Sequence, residues 1–382
     1  MRILLVTEYL PASDRAEITG GVEAYAHYVG GHLRTRHEIE VLSRPTDGSV
    51  WDEASLASIP GRLLFLLRAL LRGLRAPGDV VIGTTYVVHP IAWLVAKLRR
   101  RPVVFWYPDV LLGSWRNGQF GKVAGMVGEI AERIVLRLPV DHYIAISQST
   151  ADKLAAHGVD SAKVSVVPCG FEPSVVGAVV PEPGAAHPRI VVVGRLVPYK
   201  RVDVVVRALA RLATDRPDLR LLVIGQGPER DRLQALATEL GVADRTELRG
   251  FVARHSDVLG AVAASSAFVS ASEIEGFGIV VVEAMALGVP YVVSDIPAYR
   301  EVTAGGVGGS LFPPGDDEAL AAHLRALLDD RSPSGLLAES GREHAERYEW
   351  GSVADATADV LADVVDRHRH RSRWWRRAGS VR

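Results

Sequence analysis

Two series of short β-rich runs alternate with longer helical patterns, and this double rhythm constrains the fold more than any other feature. The first series predicts strands at 2–7, 38–42, 79–83, 102–107, 142–147 and 163–168, and helices at 21–34, 53–75, 88–99, 120–137 and 148–157. The second predicts strands at 189–194, 219–225, 246–250, 267–271 and 290–294, and helices at 316–329, 333–347 and 350–366. Such alternation forms βαβ units, so the sequence predicts an α/β chain with two parallel sheets.

The break between the two series is a segment rich in Pro, Gly and Ala, which we interpret as a linker. A chain of 382 residues is also too long for one ordinary core. We therefore predict a first domain at 1–172, a linker at 173–188, a second domain at 189–347, a helix at 348–366 that packs back toward the first domain, and a basic tail at 367–382. Two such halves would face each other across a cleft at the carboxyl ends of their strands.

Composition excludes several classes of protein. The net charge of −1 gives no reason to expect a nucleic acid partner. Cys169 is the one cysteine, which excludes an internal disulfide and suits a reducing compartment. The apolar run at the N-terminus is short and is followed by Glu8, and no stretch is long and uncharged enough to span a membrane. These features predict a cytoplasmic protein that contacts a membrane only peripherally.

Two glutamates flank an apolar run in the second half, with Glu275 before Gly276-Phe277-Gly278 and Glu283 within the following helix. Carboxylates are rarely buried without a partner. They could be solvated ends of a buried element, or they could face a polar ligand at a strand-to-helix turn. Backbone amides at 276–279 would then favour a diphosphate, and vicinal hydroxyls of a sugar or ribose would bind the carboxylates.

Three glycine turns could also bind an anion. In the first, a strand ends at Gly194, and Arg195 and Lys200 precede a helix. The others contain Gly225 with Gly227, and Gly20 with Gly21. Glycine lets backbone approach a ligand, and a helix N-terminus attracts negative charge. Ordinary surface or structural turns explain each motif about as well when it is taken alone.

Taken together, the motifs resemble those of the GT4-type glycosyltransferases. The most specific match is EGFGIVVVEAMALGVPYVVSD, and GRLVPYKRVD, IGQGPE, LRGFV and TGGVEAYAHYVGGHL match the same family. ISQSTADKL and VVPCGF are similar to its N-domain segments, and the resemblance covers about residues 1–347. It implies a GT-B architecture, with two Rossmann-like domains facing across a deep cleft, an acceptor-binding first domain and a second domain that binds the nucleotide sugar.

The resemblance also implies roles for matching positions. Arg195 and Lys200 would neutralise the departing diphosphate, Glu283 would bind the ribose, and Glu275 would contact the donor sugar and act with the two cations in catalysis. The other residues expected to contact the sugar donor are Gly20, Gly21, Gly194, Gly225, Phe251, Val252, Gly276, Phe277, Gly278 and Ile279. Phe251 and Val252 would lie near the nucleobase.

The implied reaction is retaining transfer from a nucleotide diphosphate sugar, most simply UDP- or GDP-linked. No Asp-x-Asp motif is present in the sequence, so we expect a metal-independent enzyme with no cofactor beyond this co-substrate. No carboxylate nucleophile is identified, which favours front-face attack in which the leaving phosphate helps to deprotonate the acceptor.

The sequence departs from the family pattern after the fourth strand. Trp106 or Tyr107 stands where relatives carry a histidine that faces the donor sugar, and Cys169 replaces an asparagine. Tyr107 and Asp109 are candidates for acceptor contact, although packing and helix capping are equally simple interpretations.

Two basic segments bear on the acceptor. Residues 62–75 are apolar with regularly spaced arginines, and residues 367–382 combine arginine with tryptophan. Both could bind an anionic membrane surface on its inner face, although an ordinary packed helix and a solvated tail are the alternatives. Membrane binding would favour a lipid-linked or cell-envelope glycan acceptor over a small soluble metabolite. Other hypotheses are a GT-B sugar-nucleotide epimerase and a nucleotide-sugar-binding protein without turnover.

Overall fold

The computed structural model of the chain describes residues 1–8, 10, 20–43, 59–115, 121–183, 187–329 and 333–379. It divides into two compact units. The first contains residues 1–113, 126–169 and the C-terminal helix that begins at Trp350, and the second contains 114–125 and 170–349. The predicted start of the second helix, at 53–58, lies outside the described residues.

The first unit contains a parallel sheet of six strands in the order β2-β1-β3-β4-β5-β6. Its strands are β1 Arg2–Val6, β2 Glu38–Leu42, β3 Val80–Gly83, β4 Val103–Tyr107, β5 His142–Ala145 and β6 Val164–Val166. Its helices are α1 Gly21–Ala24, a π-helical turn Tyr25–Val29, α2 Gly30–Arg34, α3 Ile59–Arg75, α4 His89–Leu98, α5 Gly121–Leu136 and α6 Gln148–Ala156. The first five residues of α5 group with the second unit and the rest of that helix with the first.

Two helical layers cover this first sheet. Successive strand residues point to opposite faces. On one face Leu4, Val81 and Phe105 share a core with residues of the helices α3 to α6, including Phe65, Val95, Val135 and Leu154. On the other face, Tyr25 stacks on Trp106 with ring centroids 4.3 Å apart.

The second unit contains another parallel sheet of six strands, in the order β12-β11-β10-β7-β8-β9. Its strands are β7 Arg189–Val193, β8 Arg220–Ile224, β9 Thr246–Gly250, β10 Ala267–Ser270, β11 Tyr291–Ser294 and β12 Gly309–Phe312. Its helices are α7 Pro173–Gly177, α8 Val202–Leu212, α9 Arg230–Glu239, α10 His255–Ala263, α11 Ile279–Ala286, α12 Pro297–Val302, α13 Asp317–Asp329 and α14 Pro333–Ala345.

Two features of the second unit differ from the sequence-based expectations. The strand β12 was not predicted, because its four residues lie between glycines and prolines, which obscure the strand pattern. The segment 173–188 was predicted as a linker, but its described residues, 173–183 and 187–188, group with the second unit. It begins with the short helix α7, and Glu182 forms salt bridges with Arg189 and Arg249 at 3.0 and 3.1 Å.

The C-terminal helix α15, Trp350–Gly379, is longer than predicted and includes much of the predicted basic tail. It packs within the first unit. Its continuation has local partners, because Arg371 donates to Asp141 Oδ1 at 2.8 Å and Arg367 donates to His142 Nδ1 at 3.3 Å. These two arginines are therefore ion-paired or hydrogen-bonded within the unit rather than part of a solvated end.

Candidate active site

The strand order of the second sheet reverses at β7, which has β8 on one side and β10 on the other. The chain runs outward from β7 through β8 and β9, and then returns to add β10, β11 and β12 on the opposite side. Open parallel sheets bind ligands at such a switch point, outside the carboxyl ends of the strands. The turns that follow β7 and β10 carry Arg195, Lys200 and Glu275. The topology therefore brings together residues 75 or more positions apart that the sequence motifs had singled out separately.

Glu275 is the centre of a hydrogen-bonded cluster at this switch point. Its Oε1 atom accepts from Lys200 Nζ at 2.5 Å, from Ser272 Oγ at 2.9 Å and from Tyr299 Oη at 3.0 Å. Ser270 Oγ lies 2.6 Å from the same Tyr299 hydroxyl. The predicted carboxylate and the predicted cation are thus direct partners, and three hydroxyl groups that the sequence motifs did not single out complete the cluster.

Electrostatics favour the charged state of Glu275. Burial alone raises the pKa of its carboxyl, but the Lys200 ammonium and the hydrogen bonds outweigh burial and hold that pKa below its ordinary value. Burial, assisted by the negative charge of Glu275, raises the pKa of the Tyr299 phenol well above its usual range. The site therefore contains an ionised glutamate beside a neutral tyrosine that donates to it.

Glycine backbone conformation positions this cluster. Gly278 has φ +108°, and a Cβ atom there would lie 2.7 Å from the Tyr299 ring, so other residues would be strained and would clash. Phe277 is buried and meets the Tyr348 ring edge-on, with centroids 5.5 Å apart. The helix α11 then begins at Ile279, eight residues long where about ten were predicted. Gly276, Gly278 and Ile279 are half-buried, whereas Phe277 is buried.

Glu283 lies inside α11 and is buried, where its Oε1 atom pairs with His255 Nε2 at 2.7 Å. The Glu283 charge raises the pKa of His255 above its ordinary value, against the opposing effect of burial. His255 was not predicted, since a single histidine at a helix start carries no sequence signal. Phe251 and Val252 precede this helix α10, and Phe251 is exposed while Val252 is half-buried.

The turn after β7 presents the predicted cations. Arg195 is exposed, and its Nη2 donates to Tyr199 Oη at 2.8 Å. Arg201 adopts the left-handed conformation at φ +47° and is bonded to Glu273 and Asp203. The turn is therefore held by its own side chains and by the β10 turn.

Gly194, Gly225 and Gly227 bring two turns of the second unit into backbone contact. A Cβ atom on Gly225 would lie 1.9 Å from the Gly194 carbonyl oxygen, and one on Gly227 would lie 2.2 Å from that of Leu196. Gly194 N donates to Ile224 O at 2.9 Å, and Leu196 N donates to Gln226 O at 2.9 Å. Close backbone packing thus explains the glycine at Gly225, which was predicted to contact the sugar donor.

In the first unit, Gly20 precedes α1 and has open space around its Cβ position, with extended backbone at φ −161°. Gly21 is the first residue of that helix, which continues as the π-helical turn Tyr25–Val29. Turns of this type are frequent at functional sites. The structure shows both predicted glycines at the start of a helix, and their contact with a sugar donor stays a prediction.

Tyr107 lies in the core of the first unit, which corrects the prediction that it contacts an acceptor. Its side chain is fully buried, its ring stacks near His89, and its hydroxyl donates to Glu132 Oε1 at 3.1 Å. Asp109 is nearly buried, and its Oδ1 atom accepts from Lys153 Nζ at 2.7 Å and Val110 N at 2.8 Å. Both residues therefore have structural partners within the unit. Trp106 is also buried, in its stack on Tyr25.

The first sheet has a switch point of its own, between β1 and β3. Buried polar residues follow the two strands: Thr7 and Glu8 after β1, and Thr84 and Thr85 after β3. Thr84 Oγ1 donates to Thr7 Oγ1 at 2.9 Å. The sequence motifs missed this cluster. Its signal would have been polar residues directly after two buried strands.

This architecture of two parallel sheets, each with a switch point, is the GT-B fold of nucleotide-sugar-dependent glycosyltransferases. The crystal structure of Anabaena Alr3699/HepE with UDP-glucose and the solved structure of sucrose-phosphate synthase from Thermosynechococcus elongatus share it. The first superposes with a TM-score of 0.73 at 20% identity, covering 95% of this chain and 100% of that chain. The second has a TM-score of 0.73 at 21% identity, covering 95% of this chain and 98% of that chain.

Sequence comparison specifies the family. The family "Glycosyltransferase Family 4" matches residues 19–175, and "Glycosyl transferases group 1" matches residues 182–347. The chain belongs to the GT4-type glycosyltransferases. It is 28% identical to D-inositol 3-phosphate glycosyltransferase of Streptomyces avermitilis over 95% of this chain and 83% of that protein. It is likewise 28% identical to glycogen synthase of Mycobacterium tuberculosis, over 94% of each chain.

Proposed function

We propose that the chain transfers a sugar, with retention and without a metal ion, from a nucleotide diphosphate sugar to a hydroxyl acceptor. The observation that carries the proposal is the Lys200–Glu275 pair at the switch point of the second sheet. A cation held beside the carboxyl end of a strand suits a diphosphate, and an ionised carboxylate beside it suits sugar hydroxyls. Arg195 supplies a second, more exposed cation on the same turn.

In the proposed reaction, the bond between the anomeric carbon and the diphosphate oxygen breaks while the acceptor oxygen bonds to the same face of that carbon. The acceptor proton passes to the leaving phosphate. Negative charge grows on that phosphate, so Lys200 and Arg195 act by stabilising it electrostatically. Glu275 orients the donor sugar, and Glu283, held by His255, binds the ribose. The remaining contacts to the sugar donor are assigned to Gly20, Gly21, Gly194, Gly225, Phe251, Val252 and the backbone of residues 276–279.

We infer a uridine or guanosine diphosphate sugar as donor. Uridine is supported by the similarity to Anabaena Alr3699/HepE, a protein whose crystal structures contain UDP, UDP-glucose, or UDP with glucose.

For the acceptor we propose a lipid-linked or cell-envelope glycan, met at the inner surface of a membrane. The arginine-rich, apolar segment 62–75 supports this assignment. A second candidate is a small soluble acceptor, which is favoured by the similarity to a protein named for glycosylation of inositol 3-phosphate. None of the helices among the described residues is long and apolar enough to cross a bilayer.

The test is nucleotide release from UDP-, GDP-, ADP- and dTDP-sugars, measured with wild type, Arg195→Ala and Arg207→Ala. Arg207 is an exposed arginine on α8 and serves as the matched control. We expect slow hydrolysis of one sugar donor by wild type and Arg207→Ala, and its loss in Arg195→Ala. Conversion of the sugar donor into its epimer without release would indicate an epimerase. Binding without turnover, with every acceptor class supplied, would contradict the transferase proposal.

A further inference from the structure

Over residues 64–75, whose side chains the structure describes, the exposed side of α3 consists of leucine and arginine alone. Among the side chains described for this helix, residues 64–75, the exposed ones are Leu64, Leu67, Arg68, Leu71, Arg72, Leu74 and Arg75. They recur every three or four residues, which places them on one face of the helix. Exposed leucines in a continuous row are uncommon on a soluble surface and mark an interaction site.

The helix α5 also exposes large apolar side chains together with an arginine, although the sequence analysis did not single it out. Among the side chains described for this helix, residues 123–136, the large exposed ones are Val123, Met126, Val127, Ile130, Arg133 and Ile134. Its two acidic residues are turned inward. Glu132 accepts from Tyr107 and from Leu111 N, and Glu129 accepts from Arg133 at 2.8 Å and from Gly113 N. Folding thus removes the negative charges of α5 from its outer face.

Both helices cover the same face of the first sheet, because residues of α3, α4 and α5 share one core. The helix α4, which connects β3 to β4, exposes Pro90, Lys97 and Leu98. Among the side chains described for these three helices, the exposed ones include no aspartate or glutamate. The next helix, α6, exposes Asp152, so the acid-free surface ends there.

We propose that α3, α4 and α5 form a docking surface for an anionic lipid bilayer. Aliphatic side chains would enter the boundary between headgroups and acyl chains, while arginines extend to lipid phosphates. A symmetric dimer through this surface would place arginines against arginines with no exposed acidic partner, which disfavours a second copy as occupant. This proposal goes beyond the membrane role of segment 62–75, since α5 supplies the largest aliphatic row and Arg367 and Arg371 are bonded elsewhere.

The first experiment measures co-sedimentation of the full chain with vesicles of phosphatidylcholine, with and without phosphatidylglycerol. We expect wild type to bind the anionic vesicles and to be released by salt. The double variant Ile130→Glu with Ile134→Glu should bind at least about tenfold more weakly, because both changes place charge at the interface. Leu336→Glu is the matched control, since Leu336 is 75% exposed on α14 of the second unit.

Unchanged binding by the double variant would overturn the proposal, as would wild type that binds neither vesicle. A wild-type dimer in sedimentation velocity that the double variant abolishes would instead assign the surface to self-association. Nucleotide release in solution separates this inference from the proposed function. The double variant lies outside the donor site and should release nucleotide as wild type does, so vesicle binding without any release would contradict the function alone.

A second measurement covers the case in which two glutamates prevent folding. Cys169 is buried at 1% exposure, and burial raises the pKa of its thiol, so a new surface cysteine can be labelled selectively. An environment-sensitive dye on Ile130→Cys should shift its emission to the blue with anionic vesicles. The same dye on Leu336→Cys should not shift, and an absent shift at both positions would overturn the proposal.

Discussion

The switch points of the two sheets share one feature, a first strand with a parallel neighbour on each side, but they differ in strand order and in chemistry. In the second unit, the turns after β7 and β10 carry a charged cluster in which Lys200 and Tyr299 bind Glu275. In the first unit, the turns after β1 and β3 carry the hydroxyls of Thr7, Thr84 and Thr85 beside Glu8. The fold therefore decides where polar groups converge, whereas side chains decide what binds.

The largest expected effect comes from comparing two lysine–carboxylate pairs, one at the proposed diphosphate site of the second unit and one within the first unit. Lys200→Ala removes a cation from the proposed diphosphate site, so nucleotide release should fall by about 10²–10³-fold. Lys153→Ala breaks the Lys153–Asp109 pair of the first unit and should change release by less than about twofold. Initial rates at saturating sugar donor check both. A rise in the acceptor KM of Lys153→Ala would show that Asp109 contacts the acceptor after all.

The second prediction compares two glycines. Gly225→Ala pushes a methyl group against the Gly194 carbonyl at φ +142°, and we expect a loss of about 2–4 kcal/mol in the free energy of unfolding. The methyl group of Gly20→Ala would lie in open space on extended backbone, so this change should alter the free energy of unfolding by less than about 0.5 kcal/mol. Urea denaturation measures both. Equal stabilities would contradict the close backbone approach.

The third prediction contrasts two histidines. Burial lowers the pKa of His89 from 6.5 to about 3. Between these two values the imidazole binds a proton in the unfolded chain but not in the folded one. The free energy of unfolding therefore falls as the pH drops through this range. The slope approaches about 1.4 kcal/mol per pH unit below the unfolded pKa. The Glu283 charge raises the pKa of His255, so its contribution is complete at low pH and is lost as the pH rises through the raised value.

Unfolding free energies near pH 5.5 and 7.5 separate these two contributions. His89→Phe should make the protein relatively more stable at the lower pH, and His255→Gln should make it relatively less stable there. Variants that change the pH dependence in the same direction would show that one of the two environments is misassigned.

The smallest effect compares two tyrosines that each donate to a glutamate. Tyr299→Phe removes a donor to Glu275 and should slow nucleotide release several-fold. Tyr107→Phe removes the bond to Glu132, and we expect a loss of about 1 kcal/mol of stability with unchanged release. Thermal unfolding and release rates distinguish them. Slower release by Tyr107→Phe at full stability would restore a functional role for this residue.

Much of this architecture was predictable because its signals are local. Buried parallel strands are continuous apolar runs, so most of the strands were predicted to within one or two residues. The turn motifs containing Lys200 and Glu275 were also recognisable, since glycine and charge at a strand end are local features. The strand β12 was not predicted, because its four residues begin with a glycine and are followed by two prolines, and so few residues show no clear strand pattern.

Other features depend on which segments meet. Tyr107 and Asp109 were candidates for acceptor contact until the fold supplied Glu132 and Lys153 as their partners, 25 and 44 residues away. His255 had no signal because its partner Glu283 is 28 residues away. The outer face of α5 could not be anticipated from composition, because its glutamates are turned inward by tertiary contacts that include Tyr107, Leu111 and Gly113.

The sequence by itself determined the two-sheet α/β fold, the family, and the identity of the cation and carboxylates, since periodicity and turn chemistry act over a few residues. Only the tertiary structure decided that Lys200 and Glu275 are partners, that Gly225 is required by backbone packing, and that Tyr107 belongs to the core. These contacts join segments that are far apart in the sequence, so they form only where the fold places the strands that carry those segments side by side. Strand order is a property of the folded chain.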